Sequence, residues 1–471
     1  MAAKASRVRR AQIIGNELEE LAHRVSRFPA AVGRTVDDVE VWLERSSSYG
    51  FIFENGRLVP SLSLSRDRVA LRVLKDGQMG AASCTRIDEA TWQACVAQAI
   101  DVARMPGPAS FASPRTRKPG PLTFDPDLCD VAAVPAELHR LADAISDNFQ
   151  HEAERGSGSV VMSGHLKYGV RRYVVGTRGG VAASLHGALT AHVDLDGIYS
   201  DTFHAVQAPE SYHPLALLGA RTLRNMPGEI VAPESAELGE LRGRIPVVLH
   251  PRVFEALLRR LVVPMLTQSS RRAGLLSFAD GDRVAHEGFT LVDDAGLDGL
   301  SSSRHFDDEG TPTKRNALIV RGRLSGVLSP RDTTRRDAGT ASSYRIPEGA
   351  EDPQDAPHRQ RAAGLLAERG ELSFHEMIGA VPRSILVHGL LGLHTADLAR
   401  SRFSCGISSG ITLERGRESR LLAPGKWSLS GTLFTQPGGS EGLLGDHILS
   451  RELYDTGTAI LPYCMTYLEV G

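Results

Sequence analysis

The sequence predicts an α+β chain: N-terminal and middle α/β regions with hairpins, followed by a large, mostly antiparallel β C-terminal domain. Three observations carry this. A length of 471 residues exceeds one ordinary core, so two or three domains are expected. Runs of alternating apolar and polar residues are separated by dipeptides such as Asn55-Gly56 and Asp76-Gly77, which supply positive φ at both centres of a type I′ hairpin turn. Helical periodicity is confined to a few segments, and two proline-containing stretches break all periodicity. The regions are placed at 1–125, 126–240 and 241–471.

The elements follow in order. Four basic residues, Lys4, Arg7, Arg9 and Arg10, are read as a solvated tail. In "AQIIGNELEELAHRV" the apolar residues Ile13, Ile14, Leu18, Leu21 and Val25 recur at helical spacing. The strand candidates "VEVWLER", "YGFIFENGRLVPSLSLS" and "RVALRVLKDGQMGAAS" come next. Asp88 is expected to cap a helix with Ala90, Cys95, Ala99, Val102 and Ala103 among its inner positions. The proline-rich "MPGPASFASPRTRKPGPLTFDP" reads as a linker. A helix after Pro135 places Leu138, Leu141, Ala142, Ile145 and Phe149 on one face, and "YGVRRYVVGTRGGVAASLHGALTAHVDLDG" reads as antiparallel strands with glycine turns.

A second linker lies around "MPGEIVAPESAELGELRGR". Beyond it, "IPVVLHPRVFEALLRRLVVPML" reads as a strand, then a helix with proline near its start. The hairpins "NALIVRGRLSGVL" and "SSGITLERGRESRLL" follow, and "RIPEGAEDPQDAPHRQ" reads as an exposed loop. "FIFENGRL", "LIVRGRL" and "ITLERGR" share one turn chemistry at irregular spacing, which excludes a solenoid.

Composition narrows the function classes. Hydrophobic content of 41% and charged content of 23% are those of a soluble globular protein. A net charge of −2 gives no reason to expect nucleic acid or an anionic membrane as partner. No apolar run approaches the roughly 20 residues of a membrane span, and no secretory signal follows the basic residues. The five scattered cysteines (Cys84, Cys95, Cys129, Cys405, Cys464) read as reduced thiols in a cytoplasmic protein.

Three His-Glu dipeptides raise the question of zinc: His151-Glu152, His286-Glu287 and His375-Glu376. A helical zinc site needs a second histidine about one turn on, with the glutamate as base. Arg155, Thr290 and Gly379 stand four residues after these histidines, and Gly156, Leu291 and Ala380 five, so no pair completes a motif. His388 and His394 follow His375, and converge with it only if the chain folds back. The acidic trio Asp307, Asp308 and Glu309 beside His305 has the oxygen ligands a hard cation uses. Successive residues of an extended segment point to opposite sides, however, so three adjacent carboxylates cannot all face one ion without a turn. "GSGSV" at 156–160 is too short to carry a nucleotide site.

"HFDDEGTPTKRNALIVRGRLSGVL" resembles a segment of the TldD/PmbA family of metallopeptidase-related proteins: FDDEG-x-P-T, a strand, a glycine turn and a returning strand. "ERSSSYGFIFENGRLVPSLSLSRDRVALRVLKDGQMGAAS" is similar to that family's N-terminal hairpin block. The final block, running from "SCGISSGITLERGRESRLLAPGKWSLSGTLF" to "GTAILPYCMTYLEVG", is similar to its C-terminal block. The resemblance implies one of two kinds of subunit. The TldD kind carries H-E-x-x-x-H on a helix and a further cysteine ligand; the PmbA or TldE kind lacks the motif and pairs with TldD.

Here the matching helix, "HPRVFEALLRRLVVPM" from His250, has Phe254 before Glu255 and no later histidine, and Cys464 lies in a PmbA-like ending. The resemblance therefore implies a chain with no catalytic residue and no metal ligand of its own, with zinc on a TldD-like partner. The substrate class it implies is unfolded peptides or peptide-derived antibiotic precursors. His305, Asp307, Asp308 and Glu309 are then expected to fix loops or to line the cavity between subunits. The competing readings are a self-sufficient amidohydrolase whose site combines His375 and Glu376 with His388 or His394, and a non-enzymatic binding or scaffold protein.

Overall fold

The computed structural model describes residues 2–33, 35–54, 57–108, 110–111, 113–114, 136–155, 159–199, 202–212, 235–236, 241–297, 299–331, 339–347, 352–422, 426–434 and 442–471. It is an α+β structure built on two large sheets. Helix α1 (Ala2–Ala31) precedes the strands β1 (Asp38–Glu54), β2 (Arg57–Lys75) and β3 (Gln78–Cys84), then α2 (Glu89–Asp101) and β4 (Met105–Pro106). Helix α3 (Ala136–Arg155) leads into β5 (Ser159–Thr177), β6 (Gly180–Tyr199) and β7 (Thr202–Tyr212). The strand order is β4-β3-β2-β1-β5-β6-β7. β1 pairs with β5 from Glu40↔Thr177 to Glu54↔Ser163, so strands from both sides of the first linker share one sheet.

Period-two alternation gives this sheet two unlike faces. Val39, Val41 and Leu43 of β1, with Val69, Leu71 and Val73 of β2, pack against Leu21, Val25 and Phe28 of α1 and Trp92, Cys95, Val96 and Ala99 of α2. The intervening residues, Glu40, Trp42 and Glu44 opposite Arg72, Ala70 and Arg68, form the other face.

Most local expectations hold, with four corrections. Asp88 caps α2 by accepting from Thr91 N–H, and Asp76 and Gly77 both have positive φ, at 51° and 74°. Ala90 and Val102, however, are exposed, because Trp92 and Val96 set the buried stripe. Ile13 is likewise exposed while Ile14 is buried. The N-terminal basic run is not a tail: its backbone is part of α1, with Arg9 exposed. Asn55 and Gly56 and the side chain of Phe149 lie outside the described residues.

The second sheet begins with β8 (Ser235–Ala236) and β9 (Gly243–Leu249), followed by helix α4 (Pro251–Leu257). Then come β10 (Leu291–Asp294), β11 (Arg315–Val320), β12 (Arg323–Leu324), β13 (Ser343–Arg345), β14 (His358–Gln360), β15 (Leu365–Ala367), helix α5 (Phe374–Gly379), β16 (Arg383–Leu391), β17 (Arg402–Glu414), β18 (Arg417–Leu422), β19 (Ser428–Thr432), β20 (His447–Asp455) and β21 (Ala459–Val470). The path is β12-β11-β10-β15-β21-β9-β16-β17-β18-β8, with β19 beside β17 and β21, and β20 beside β21. Phe254, Leu257 and Leu258 bury against Val247, Leu249 and Leu461. The turns at Arg321-Gly322 and Arg415-Gly416 have φ of 48° and 73°, and 48° and 75°, the conformation their charged-residue-glycine sequence predicts.

The fourth correction concerns "RIPEGAEDPQDAPHRQ". Its described residues, 345–347 and 352–360, do not form the free solvent loop expected. Its ends pair as the two-stranded sheet β13-β14, Gln354 and Ala356 are buried, and Asp352 and Asp355 bond Arg66 and Ser83 of the first sheet.

Candidate functional site

The acidic motif sits where the second domain meets the polar face of the first sheet. Phe306 is buried with Trp42, Ala70, Tyr173 and Val175 of that sheet. Asp307 turns inward and accepts from Glu309 N–H (3.1 Å), Thr311 N–H (2.9 Å) and Ser343 N–H (3.1 Å). Burial, and then the charge of Glu309, push its carboxyl well above the usual carboxylate range, against those N–H donors. Asp308 accepts from Arg345 N–H (2.7 Å) and pairs with Arg304 (3.3 Å). Glu309 reaches across to Arg72 (3.2 Å), which is also forked onto Glu40 at 2.8 and 2.7 Å.

The surrounding cations are clamped by aromatic rings. Arg304 lies 4.1 Å over Tyr173 and donates to its hydroxyl at 3.0 Å. Arg345 stands 5.3 Å over Trp42; burial, with the Arg72 charge, pulls it down to about 10. The three carboxylates thus face a turn, a cation on their own domain and a cation on the other. They do not converge on one point. His305 is half-buried, and its carbonyl accepts from Thr313 N–H.

Helix α4 carries the second group. His250 caps it, accepting from Arg252 N–H, and Pro251 occupies its first turn. At Leu258–Val262 the helix widens to π geometry, with Val263 N–H donating to Leu258 O. Glu255 is buried and accepts from Arg259 (2.5 Å) and from the Thr458 hydroxyl (2.5 Å). Burial opposes its charge, but the Arg259 charge and the hydroxyl bonds outweigh that and hold the carboxyl below its ordinary value. The rest of the Arg259 guanidinium donates to the carbonyls of Ala362, Ala363 and Thr458.

The His-Glu dipeptides are dispersed. His151 and Glu152 lie on α3, with side chains outside the described residues. His286 packs edge-on against His447. Glu376 closes a capping box with Ser373 at the start of α5, and His375 beside it is exposed. His394 is exposed on a short 3₁₀ turn, while His388 stacks on His250 at 5.3 Å. Among the described residues no three His, Cys, Asp or Glu side chains form a group able to hold a metal ion.

The model of the PmbA/TldA metallopeptidase C-terminal domain matches residues 242–435, and that of PmbA/TldA metallopeptidase domain 1 matches residues 39–103, together more than half of the chain. The chain belongs to the PmbA/TldD family. TldE from Thermococcus kodakarensis has a similar fold, with TM-score 0.76 at 18% identity over 94% of this chain and 99% of that one. A metalloprotease of Methanocaldococcus jannaschii is 29% identical over 143 residues, 30% of each chain. An uncharacterised protein of the same organism is 21% identical over 359 residues, 74% of this chain and 78% of its own. The chain therefore aligns with less than a third of the length of that metalloprotease.

In helix α4, which resembles the helix that carries H-E-x-x-x-H in the TldD kind, Phe254, Glu255 and Arg259 stand at that spacing. These residues do not fit a zinc ion. Phe254 offers a fully buried phenyl ring, and the carboxylate between them is neutralised by the guanidinium at the second histidine's position. Cys464 is fully buried and its thiol is pushed up by that burial, which disfavours the thiolate a metal needs.

Sequence reasoning missed Arg259 and the docking of residues 352–360. The first could have been found by counting five residues from Phe254. The second had no local signal beyond its two aspartates.

Three outcomes follow from this geometry. Asp308→Ala removes the acceptor of Arg345 N–H and the partner of Arg304, and should lower stability by roughly 1–3 kcal/mol in thermal melts. Loss of turnover in a reconstituted complex with melting and assembly unchanged would instead assign Asp308 to chemistry. Arg259→Met leaves Glu255 buried without its cation and should cost roughly 3–5 kcal/mol in urea unfolding, partly recovered in Arg259→Met with Glu255→Gln.

The third outcome concerns pH. Burial pushes His250 down to about 3 and His388 and His447 down to about 4. All three are neutral in both states above pH 6.5; below it the unfolded chain takes up protons that the native chain refuses. Stability should fall as pH drops from about 6.5 to 4, by roughly 2–3 kcal/mol per histidine. His388→Phe should flatten that slope in urea midpoints measured against pH.

Proposed function

We propose that this chain is the noncatalytic, TldE/PmbA-like subunit of a cytoplasmic, heteromeric TldD/TldE-type zinc metallopeptidase. Its substrates are unfolded peptides or peptide-derived natural-product precursors, and the metal belongs to a TldD-like partner. The observation that carries the reading is the Arg259–Glu255 pair. In the TldD kind this glutamate is the base beside the metal; here a cation from the next helical turn is bonded to it and ties it to the β20–β21 turn. With Arg259 and Thr458 both donating to Oε1, the carboxylate is engaged in an ion pair and not in metal-site chemistry.

The remaining role is structural. The chain supplies cavity walls, backbone able to align an extended peptide, and an assembly surface. None of the described helices is long and apolar enough to cross a membrane.

Reconstitution tests this reading. Mixing the chain with a TldD-like partner carrying H-E-x-x-x-H should produce amide hydrolysis that neither shows alone. A chelator should abolish it, as should mutation of the partner's motif glutamate. His375→Ala and Glu376→Ala in this chain should leave it intact. Stoichiometric zinc in the isolated chain, lost in His375→Ala, would refute the assignment.

A further inference from the structure

The polar face of the first sheet continues past the acidic motif into a cavity of about 320 Å³, at the lower end of the roughly 300–1,000 Å³ of small-ligand sites. Four central strands form its floor, and Ser301 of the second domain contributes to its wall. Its composition follows from register. The same-face positions of β1 are Glu40, Trp42 and Glu44, then Ser46 and Ser48. Opposite them stand Arg72, Ala70, Arg68 and Arg66 on β2, and Tyr173, Arg171 and Gly169 on β5. From Glu44 to Ser48 this row of β1 changes from carboxylate to hydroxyl, while the cations Arg66 and Arg171 continue beside it.

The charges around the cavity do not balance. Arg68 pairs with Glu44 at 2.5 Å and Arg66 with Asp352 at 2.8 Å. Arg68 Nε is buried with no hydrogen bond, 3.8 Å from Asp352. Lys167 and Arg171 also line the cavity; the charge of Glu44, already bonded to Arg68, acts on Arg171 as well. Arg171 is exposed, with one weak donation to the Tyr173 hydroxyl at 3.4 Å. Four cations therefore face two carboxylates, amid the hydroxyls of Ser46, Ser48 and Thr190. A planar guanidinium, a mobile ammonium and several hydroxyls together suit one compact oxyanion.

We infer that this cavity is an anion site, and that it takes the free C-terminal carboxylate of an extended peptide. The inference rests on the peptidase reading for the identity of the ligand, but on the cavity alone for its charge. Such a site would anchor one end of a substrate and fix how far along the chain the scissile bond lies.

The test is calorimetric titration of the full chain with N-acetyl-hexa-alanine as free acid and as carboxamide, and separately with inorganic phosphate. The free acid should bind at least ten-fold more tightly than the amide, with an affinity that falls in 0.5 M NaCl. Arg171→Gln and Lys167→Ala should each erase the difference while leaving the melting temperature unchanged. Equal affinities for acid and amide, including no measurable binding of either, would overturn the inference. So would tight phosphate binding without discrimination between the peptides, which would mark a phosphate site.

Failure here is separable from failure of the peptidase reading. A reconstituted complex that cleaves acid and amide substrates alike keeps the peptidase and removes the carboxylate site. A chain that distinguishes the peptides yet gives no activity with any TldD-like partner does the reverse.

Discussion

Arg72 lies between two carboxylates, Glu40 from its own sheet and Glu309 from the other domain. A guanidinium this buried carries a large desolvation cost, which only well-placed partners offset. Glu40 alone gives a forked pair within one hairpin, set by the Glu40↔Arg72 register. Glu309 converts that pair into a bridge between domains. The geometry requires Asp307 to hold the turn, so that Glu309 can project outward, and Phe306 to fill the apolar gap beside Trp42 and Tyr173. One five-residue motif thus supplies the apolar contact, the turn and the charge of a docking joint. This is why its carboxylates need not share a metal ion to be useful.

The same economy is visible at α4. A buried glutamate needs a positive partner, and a divalent ion or a guanidinium can both provide one. In this chain Arg259 does so, and its other N–H groups satisfy carbonyls from two further segments of the domain. The helix widens to π geometry in the turn that carries Arg259. A five-residue spacing turns through about 500° on a regular helix, so residues so spaced meet only where the helix is distorted. The distortion is present here without the histidines.

How far the sequence could be read follows from the range of the signals. Turns were legible because Asp76-Gly77, Arg321-Gly322 and Arg415-Gly416 state their φ requirements in two letters. The α2 cap was legible for the same reason, whereas its buried face was not, because alanines suit either side of a helix and Trp92 and Val96 set the buried stripe. The pairing of β1 with β5 across a long linker has no local signature. The docking of 352–360 depends on cations at 66 and 68 that are nearly 300 residues away, so composition alone made the segment look like a solvent loop. The acidic motif lay between these limits: its turn-forming role was readable from Asp307, but the identity of Arg72 as its partner was not.

The docking joint and the neighbouring cavity are two ends of one charge pattern. Along the polar face the carboxylates Glu40, Glu44, Glu309 and Asp352 serve arginines on β2, and that balance holds the domains together. Past Glu44 the strand β1 turns to serine while β5 still carries Arg171 and Lys167, so the face becomes cationic where it opens towards solvent. Because Arg66 and Arg68 belong to both the joint and the cavity wall, an anion in the cavity would lie against the residues that bind Asp352 and Glu44. It would relieve repulsion among the four cations and compete with those carboxylates for their N–H groups. An occupied cavity would therefore act on the joint between the domains through the shared arginines Arg66 and Arg68.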